Sequence, residues 1–80
     1  MHLILTGHWY DEIASGRKTV EYRDNIPFYQ VRVNNELRRH PDNPTVCFQR
    51  GYSKTRMYFK IKDVIFYQPT IQIFLGERIQ

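Results

Sequence analysis

The sequence predicts a small, mainly β domain with a helix near its N-terminus, built as a strongly bent sheet or open β-barrel. Three observations carry that expectation. Eighty residues make one domain, residues 1–80, too short for a Rossmann fold, a TIM barrel or a two-domain enzyme. A hydrophobic fraction of 41%, with 15% aromatic residues, supplies a core and argues against disorder. Apolar side chains then recur at every second position in the C-terminal third, the period of a half-buried strand.

Taken in order, Leu3-Ile4-Leu5 is a short apolar run that reads as an opening strand, broken by Thr6-Gly7. His8–Ser15 reads as a short helix, because Trp9 and Ile13, and Tyr10 and Ala14, stand four apart. Gly16 is its natural stop. Thr19–Arg23 combines Thr, Val and Tyr and is β-type by composition. Asp24-Asn25-Ile26-Pro27 ends it with turn chemistry. Phe28–Val33 fits a short helix or a strand equally. Asn34–Thr45, polar with two prolines and without usable periodicity, is expected to be mostly loop. Val46–Phe48 resumes strand character, and Gly51-Tyr52-Ser53 marks a turn.

Met57, Phe59 and Ile61 alternate with Tyr58, Lys60 and Lys62, the strongest periodic signal in the chain. After Asp63 the parity shifts to Val64 and Phe66, which predicts a bend or bulge there. Ile71, Ile73 and Leu75 form the last alternating strand.

Several function classes fall away. No apolar run is long enough for a membrane-spanning helix, and Met1–Tyr10 carries no secretory pattern. The single cysteine, Cys47, has no internal partner and sits in an apolar strand as a core thiol, so a reducing, cytoplasmic setting is expected. His2, His8 and His40 have no metal-ligand spacing, and neither a phosphate-cradling glycine loop nor an esterase elbow is present. No metal or other cofactor is expected.

Residues 1–48 carry six basic and six acidic side chains, whereas residues 49–80 carry six and two, so the whole net charge of +4 belongs to the C-terminal part. Within it Arg50, Lys54, Arg56, Lys60 and Lys62 make a stripe without an acid, a solubilising face or a site for an anionic partner.

The densest polar segment is Gly16-Arg17-Lys18-Thr19-Val20-Glu21-Tyr22-Arg23. In a regular strand Thr19, Glu21 and Arg23 share one face and Val20 and Tyr22 the other. With Val20 and Tyr22 in the core, Glu21 and Arg23 form a surface ion pair of little energetic worth, the expected arrangement. If the sheet curls so that Glu21 lines a cavity, the carboxylate needs a cation beside it, and Lys18 is the candidate. Their convergence requires the chain to bend at Lys18-Thr19. Trp9 and Tyr22 are expected to be core residues, and Tyr52, in a polar basic loop, an exposed platform.

Together the helix Trp9–Ser15, Gly16-x-Lys18-x-x-Glu21-x-Arg23, Phe48-x-x-Gly51-Tyr52 and the terminal Leu75-Gly76 resemble the ASCH domain family across nearly the whole chain. The resemblance implies a PUA-like fold, a small open β-barrel with a charged cavity at its mouth, and a ligand of nucleoside or nucleic-acid type. Some members of that family are small amidohydrolases that remove acyl groups from the exocyclic amine of cytidine, N4-acetylcytidine among their substrates. Their pattern has a lysine where this chain has Lys18, a threonine where it has Glu21, and a glutamate on a later helical segment.

For this chain the chemistry is written with Glu21 activating a water, Lys18 stabilising the oxyanion or passing a proton to the leaving amine, Arg23 orienting Glu21, and Thr19 as the other candidate nucleophile. Trp9, Tyr22 and Tyr52 are the candidate stacking groups, and Arg50, Lys54 and Arg56 the candidate anion contacts. The expected partner is a modified nucleoside or RNA bound by a monomer, with no membrane. The alternative is a non-catalytic RNA-binding module that uses the basic stripe. Ribonuclease activity lacks an evident pair of histidines for acid–base work.

Overall fold

Alternating apolar residues become strands here, and the computed structural model describes all 80 residues. The elements in chain order are β1 (His2–Leu5), α1 (Gly7–Ala14), β2 (Val20–Asp24), α2 (Pro27–Arg39), β3 (Thr45–Arg50), β4 (Arg56–Phe66) and β5 (Thr70–Arg78). The strands form one sheet in the order β1-β3-β4-β5-β2. β1 pairs parallel with β3, and every other neighbouring pair is antiparallel. The sheet curls into a half-barrel whose two free edges are β1 and β2.

The predicted faces form the core. Met57, Phe59 and Ile61 of β4 and Ile71, Ile73 and Leu75 of β5 are buried with Val46 and Phe48 of β3, and Cys47 is a buried free thiol. Pairing of β4 with β5 slips between Phe59 and Ile61 and again between Ile61 and Asp63. That irregularity is the physical content of the parity change at Asp63: an offset in the ladder exchanges the faces, so that Val64 rather than Asp63 turns toward the interior. It also sharpens the bend that curls the sheet.

Helix α1 splits its apolar residues differently from the pairing read in the sequence. Tyr10 and Ile13 are buried, whereas Trp9 points outward. Gly16, at φ +84°, closes the helix in the left-handed region where a side chain would be strained.

Helix α2 corrects the expectation that Asn34–Thr45 is mostly loop, since it runs unbroken to Arg39 and leaves only residues 40–44 as a connection. Tyr29, Val33 and Leu37, four apart, lay one side of the helix on the core cluster. Pro27 opens it in the first turn, and Arg38 and Arg39 lie in the last, where the helix dipole favours cations. The pattern was masked because Phe28 and Val31, on the opposite face, are also apolar and remain exposed.

Glu36 fastens this helix to the sheet. Its Oε1 accepts a hydrogen bond from the Met1 amino group at 2.7 Å, and its Oε2 one from the Thr45 N–H at 3.1 Å. Burial alone would raise the Glu36 carboxyl, but the hydrogen bonds from Met1 and Thr45 outweigh it and hold the group below the ordinary carboxylate value of 4.5.

Two outcomes test this arrangement. Val33→Ala should cost about 2 kcal/mol in urea unfolding, whereas the isomeric change Val31→Ala on the outer face should cost less than about 0.5 kcal/mol. Because the folded-state Glu36 carboxyl is lowered, its stabilisation is complete above the ordinary carboxylate range and lost as pH falls through the folded value. Unfolding midpoints of Glu36→Gln should therefore lie below those of the parent at neutral pH and approach them in acid.

Candidate functional site

Strand β2 is turned opposite to the expected orientation, and the reason is its register on β5. Glu21 stands opposite Ile73, and Arg23 opposite Ile71. Directly opposed residues share a sheet face, and both isoleucines are fully buried on the inner one. Glu21 is thereby carried inward to 4% exposure, while Tyr22, opposite Gln72, faces out at 51%. The surface ion pair and the core Tyr22 expected from composition are both overturned: β5's long apolar face outweighs β2's own pattern.

A carboxylate on the inner face must be compensated, and two cations do so. Arg23 Nε donates to Glu21 Oε2 at 3.0 Å, with Arg23 Nη2 2.9 Å from the same oxygen. Lys18 Nζ lies 3.2 Å from Oε1. The bend needed for that contact is present: past the left-handed Gly16, the Lys18 N–H returns to the Glu12 carbonyl, and the Thr19 carbonyl already accepts from Leu75 N–H on β5. Arg23 does more than neutralise. Its Nη2 donates at 3.0 Å to the Ile4 carbonyl on β1, and its Nη1 at 3.3 Å to the Tyr29 hydroxyl on α2. One guanidinium thus bridges the two free edges of the half-barrel, where no backbone ladder runs.

Around this triad the side chains form adjoining clefts. One of about 600 Å³ is lined by Trp9, Lys18, Thr19 and Tyr22, together with His8 and Arg17. A second, of about 320 Å³, shares Trp9 and Tyr22 and reaches Glu21, Arg23, Tyr29 and Ile4. Trp9 is 47% exposed, so it and Tyr22 wall a cleft instead of filling the core. The Lys18 ammonium stands 4.4 Å from the Trp9 ring centre and 5.5 Å from that of Tyr22, a cation held between aromatic faces.

The remaining sequence candidates lie elsewhere. Tyr52 is 94% exposed and lines a third cleft of about 460 Å³ with Ile4, Arg23, Phe28, Tyr29 and Arg32. Arg50 is committed to Asp11, its Nε and Nη2 at 3.2 and 3.1 Å from the two carboxylate oxygens, and this guanidinium holds the Asp11 carboxyl below its ordinary value. Lys60 pairs with Glu77 at 2.8 Å. Lys54 and Arg56 are exposed and line none of the clefts. Tyr29 and the Ile4 carbonyl went unnoticed in sequence. Tyr29 lay in a segment of ambiguous structure, and no sequence signal marks a backbone carbonyl for use by a distant arginine.

The triad's energetics are testable as a cycle. Arg23→Leu leaves a buried charge half compensated and should cost about 3 kcal/mol, whereas Glu21→Leu with Arg23→Leu should cost less than the sum of the two single changes. Urea unfolding of the four proteins measures the coupling. Compared with protein-family models, curated proteins and solved structures, the chain gives no match.

Proposed function

We propose that this chain is a small amidohydrolase that removes the acyl group from N4-acylated cytosine nucleosides, N4-acetylcytidine being the representative substrate. The observation that carries the reading is the approach of Lys18 Nζ to Glu21 Oε1, 3.2 Å, where two clefts that share Trp9 and Tyr22 adjoin, one lined by Lys18 and the other by Glu21. Arg23 occupies Oε2 and leaves Oε1 facing only Lys18, so one oxygen of a buried carboxylate retains acceptor capacity next to an ammonium group. The resemblance of Gly16–Arg23 to ASCH domains supports the ligand class.

The chemistry follows from these groups. The base stacks on Trp9 or Tyr22, which brings its acylated amine over the triad. A water beside Oε1 gives a proton to Glu21 as its oxygen bonds to the acyl carbon. The carbonyl electron pair moves onto oxygen, where the Lys18 ammonium faces the developing charge. Collapse re-forms the carbonyl and breaks the C–N bond, and the cytosine amine leaves with the proton held by Glu21. The products are a carboxylic acid and the free nucleoside. Arg23, fixed by Ile4 and Tyr29, is the positioning residue.

A second reading, a non-catalytic RNA-binding module, is favoured by one observation: both oxygens of Glu21 already face cations, an arrangement complete without chemistry. Incubation with N4-acetylcytidine separates the two. The amidohydrolase reading expects cytidine release that falls by about 100-fold or more in Lys18→Ala and in Glu21→Gln. Turnover that survives Glu21→Gln and disappears in Thr19→Val would move the nucleophile to Thr19. Binding without turnover would leave the module reading.

A further inference from the structure

We propose that a polar cleft against α2, reached along β1 from the Trp9 cleft, is a phosphate subsite for a single-stranded oligonucleotide whose acylated cytosine stacks on Trp9 or Tyr22. This rests on the reading of the Lys18–Glu21 cleft given above and names the form in which its substrate arrives.

The cleft, of about 210 Å³, is lined by Arg32, Asn35 and Arg39 of α2 with His2 and His40. Its one carboxylate, Glu36, is spent, since Oε1 faces the Met1 amino group and Oε2 the Thr45 N–H. Arg32 and Arg39 take part in none of the six ion pairs of the molecule. Seven residues apart, they lie two turns along one helix face, with Cα atoms about 10 Å apart. The Arg32 guanidinium lies 4.2 Å from the Phe28 ring centre, so the ring pre-positions a planar donor group that no carboxylate occupies. Arg32, held against that ring, and Arg39, exposed and without an ion pair, are the guanidinium groups this cleft offers to phosphate oxygens.

The cleft is not isolated. It shares His2 and Arg32 with the cleft of Tyr52, which shares Ile4, Arg23 and Tyr29 with the Glu21 cleft, which in turn shares Trp9 and Tyr22 with that of Lys18. These clefts therefore adjoin one another in a row beside β1, on the open side of the half-barrel. From His2 to Leu5 that strand advances about 10 Å, and Trp9 lines its cleft with Ile4, Leu5 and Thr6, at the opposite end from His2. The arginine cleft is thus further from the base site than a nucleotide's own phosphate is from its base. It fits a neighbouring phosphodiester of the same strand. Phe28 and Tyr52, both exposed in the stretch between, offer stacking faces for an intervening base.

The test compares four probes by fluorescence anisotropy and competition: N4-acetylcytidine, its 5′-monophosphate, inorganic phosphate, and a short single-stranded oligoribonucleotide containing one N4-acetylcytidine. The oligonucleotide should bind about tenfold tighter than the nucleoside, and the monophosphate should gain little. In Arg32→Gln/Arg39→Gln, checked for native circular dichroism, the oligonucleotide's advantage should fall by about tenfold and its log–log salt slope should flatten by about one. An oligonucleotide no tighter than the nucleoside, an advantage that survives in the double variant, or a monophosphate as tight as the oligonucleotide would each overturn the proposal. Trp9→Ala distinguishes failure of the base site: if it leaves oligonucleotide binding intact while the arginine variant abolishes it, the phosphate cleft stands and the placement of the base falls.

Discussion

Glu21 sits opposite Ile73 on the inner face of a curled sheet, and most of the molecule's distinctive features answer to that placement. A carboxylate taken out of water costs several kcal/mol unless ions and hydrogen bonds compensate it. Lys18 must then fold back over the turn at Gly16 to reach Oε1, and Arg23 must bring Nε and Nη2 to Oε2. The guanidinium that satisfies Glu21 still has donors to place. It spends them on the Ile4 carbonyl and the Tyr29 hydroxyl, which joins the two strands the sheet leaves unpaired and pins α2 across them. The same guanidinium serves the seam of the half-barrel and the polar site.

The aromatic walls follow from a competition for the core. Tyr10 and Ile13 occupy the inner side of α1, so Trp9, adjacent to Tyr10, is directed outward. Tyr22 faces out because Glu21 and Arg23 face in. The two rings flank the Lys18 ammonium, whose charge is thereby exposed to a cleft and yet held in place by its neighbours. A planar ligand entering there would meet aromatic faces and a fixed cation together, the combination that nucleobase recognition uses.

Charge is distributed by folding as much as by composition. The stripe from Arg50 to Lys62 carries the net excess in sequence, but Asp11 and Glu77 return to neutralise Arg50 and Lys60. The N-terminal part, neutral in sum, contributes Arg32 and Arg39, which pair with no carboxylate, while four of its six acids are held elsewhere: Asp11 by Arg50, Glu12 by Arg17, Glu21 in the triad and Glu36 at the Met1 amine. The open side of the half-barrel is accordingly where anions would be drawn.

Periodicity alone determined the mainly β class, the long strands β4 and β5 and the offset near Asp63, because a period of two with one apolar face has a single low-energy solution. Composition marked Gly16–Arg23 as the segment dense in ionisable groups. What it could not decide was which face of β2 turns inward. Val20 and Tyr22 are as apolar as many core residues, and only pairing with a strand whose inner face is Ile71, Ile73 and Leu75 reverses the choice. The helical state of Asn34–Arg39 was equally hidden, since Leu37 anchors to a core built from strands remote in sequence. The seam between β1 and β2, with Ile4's carbonyl in the reach of Arg23, belongs wholly to tertiary structure: a backbone acceptor at a sheet edge has no side-chain signature, and curvature alone brings an arginine to it.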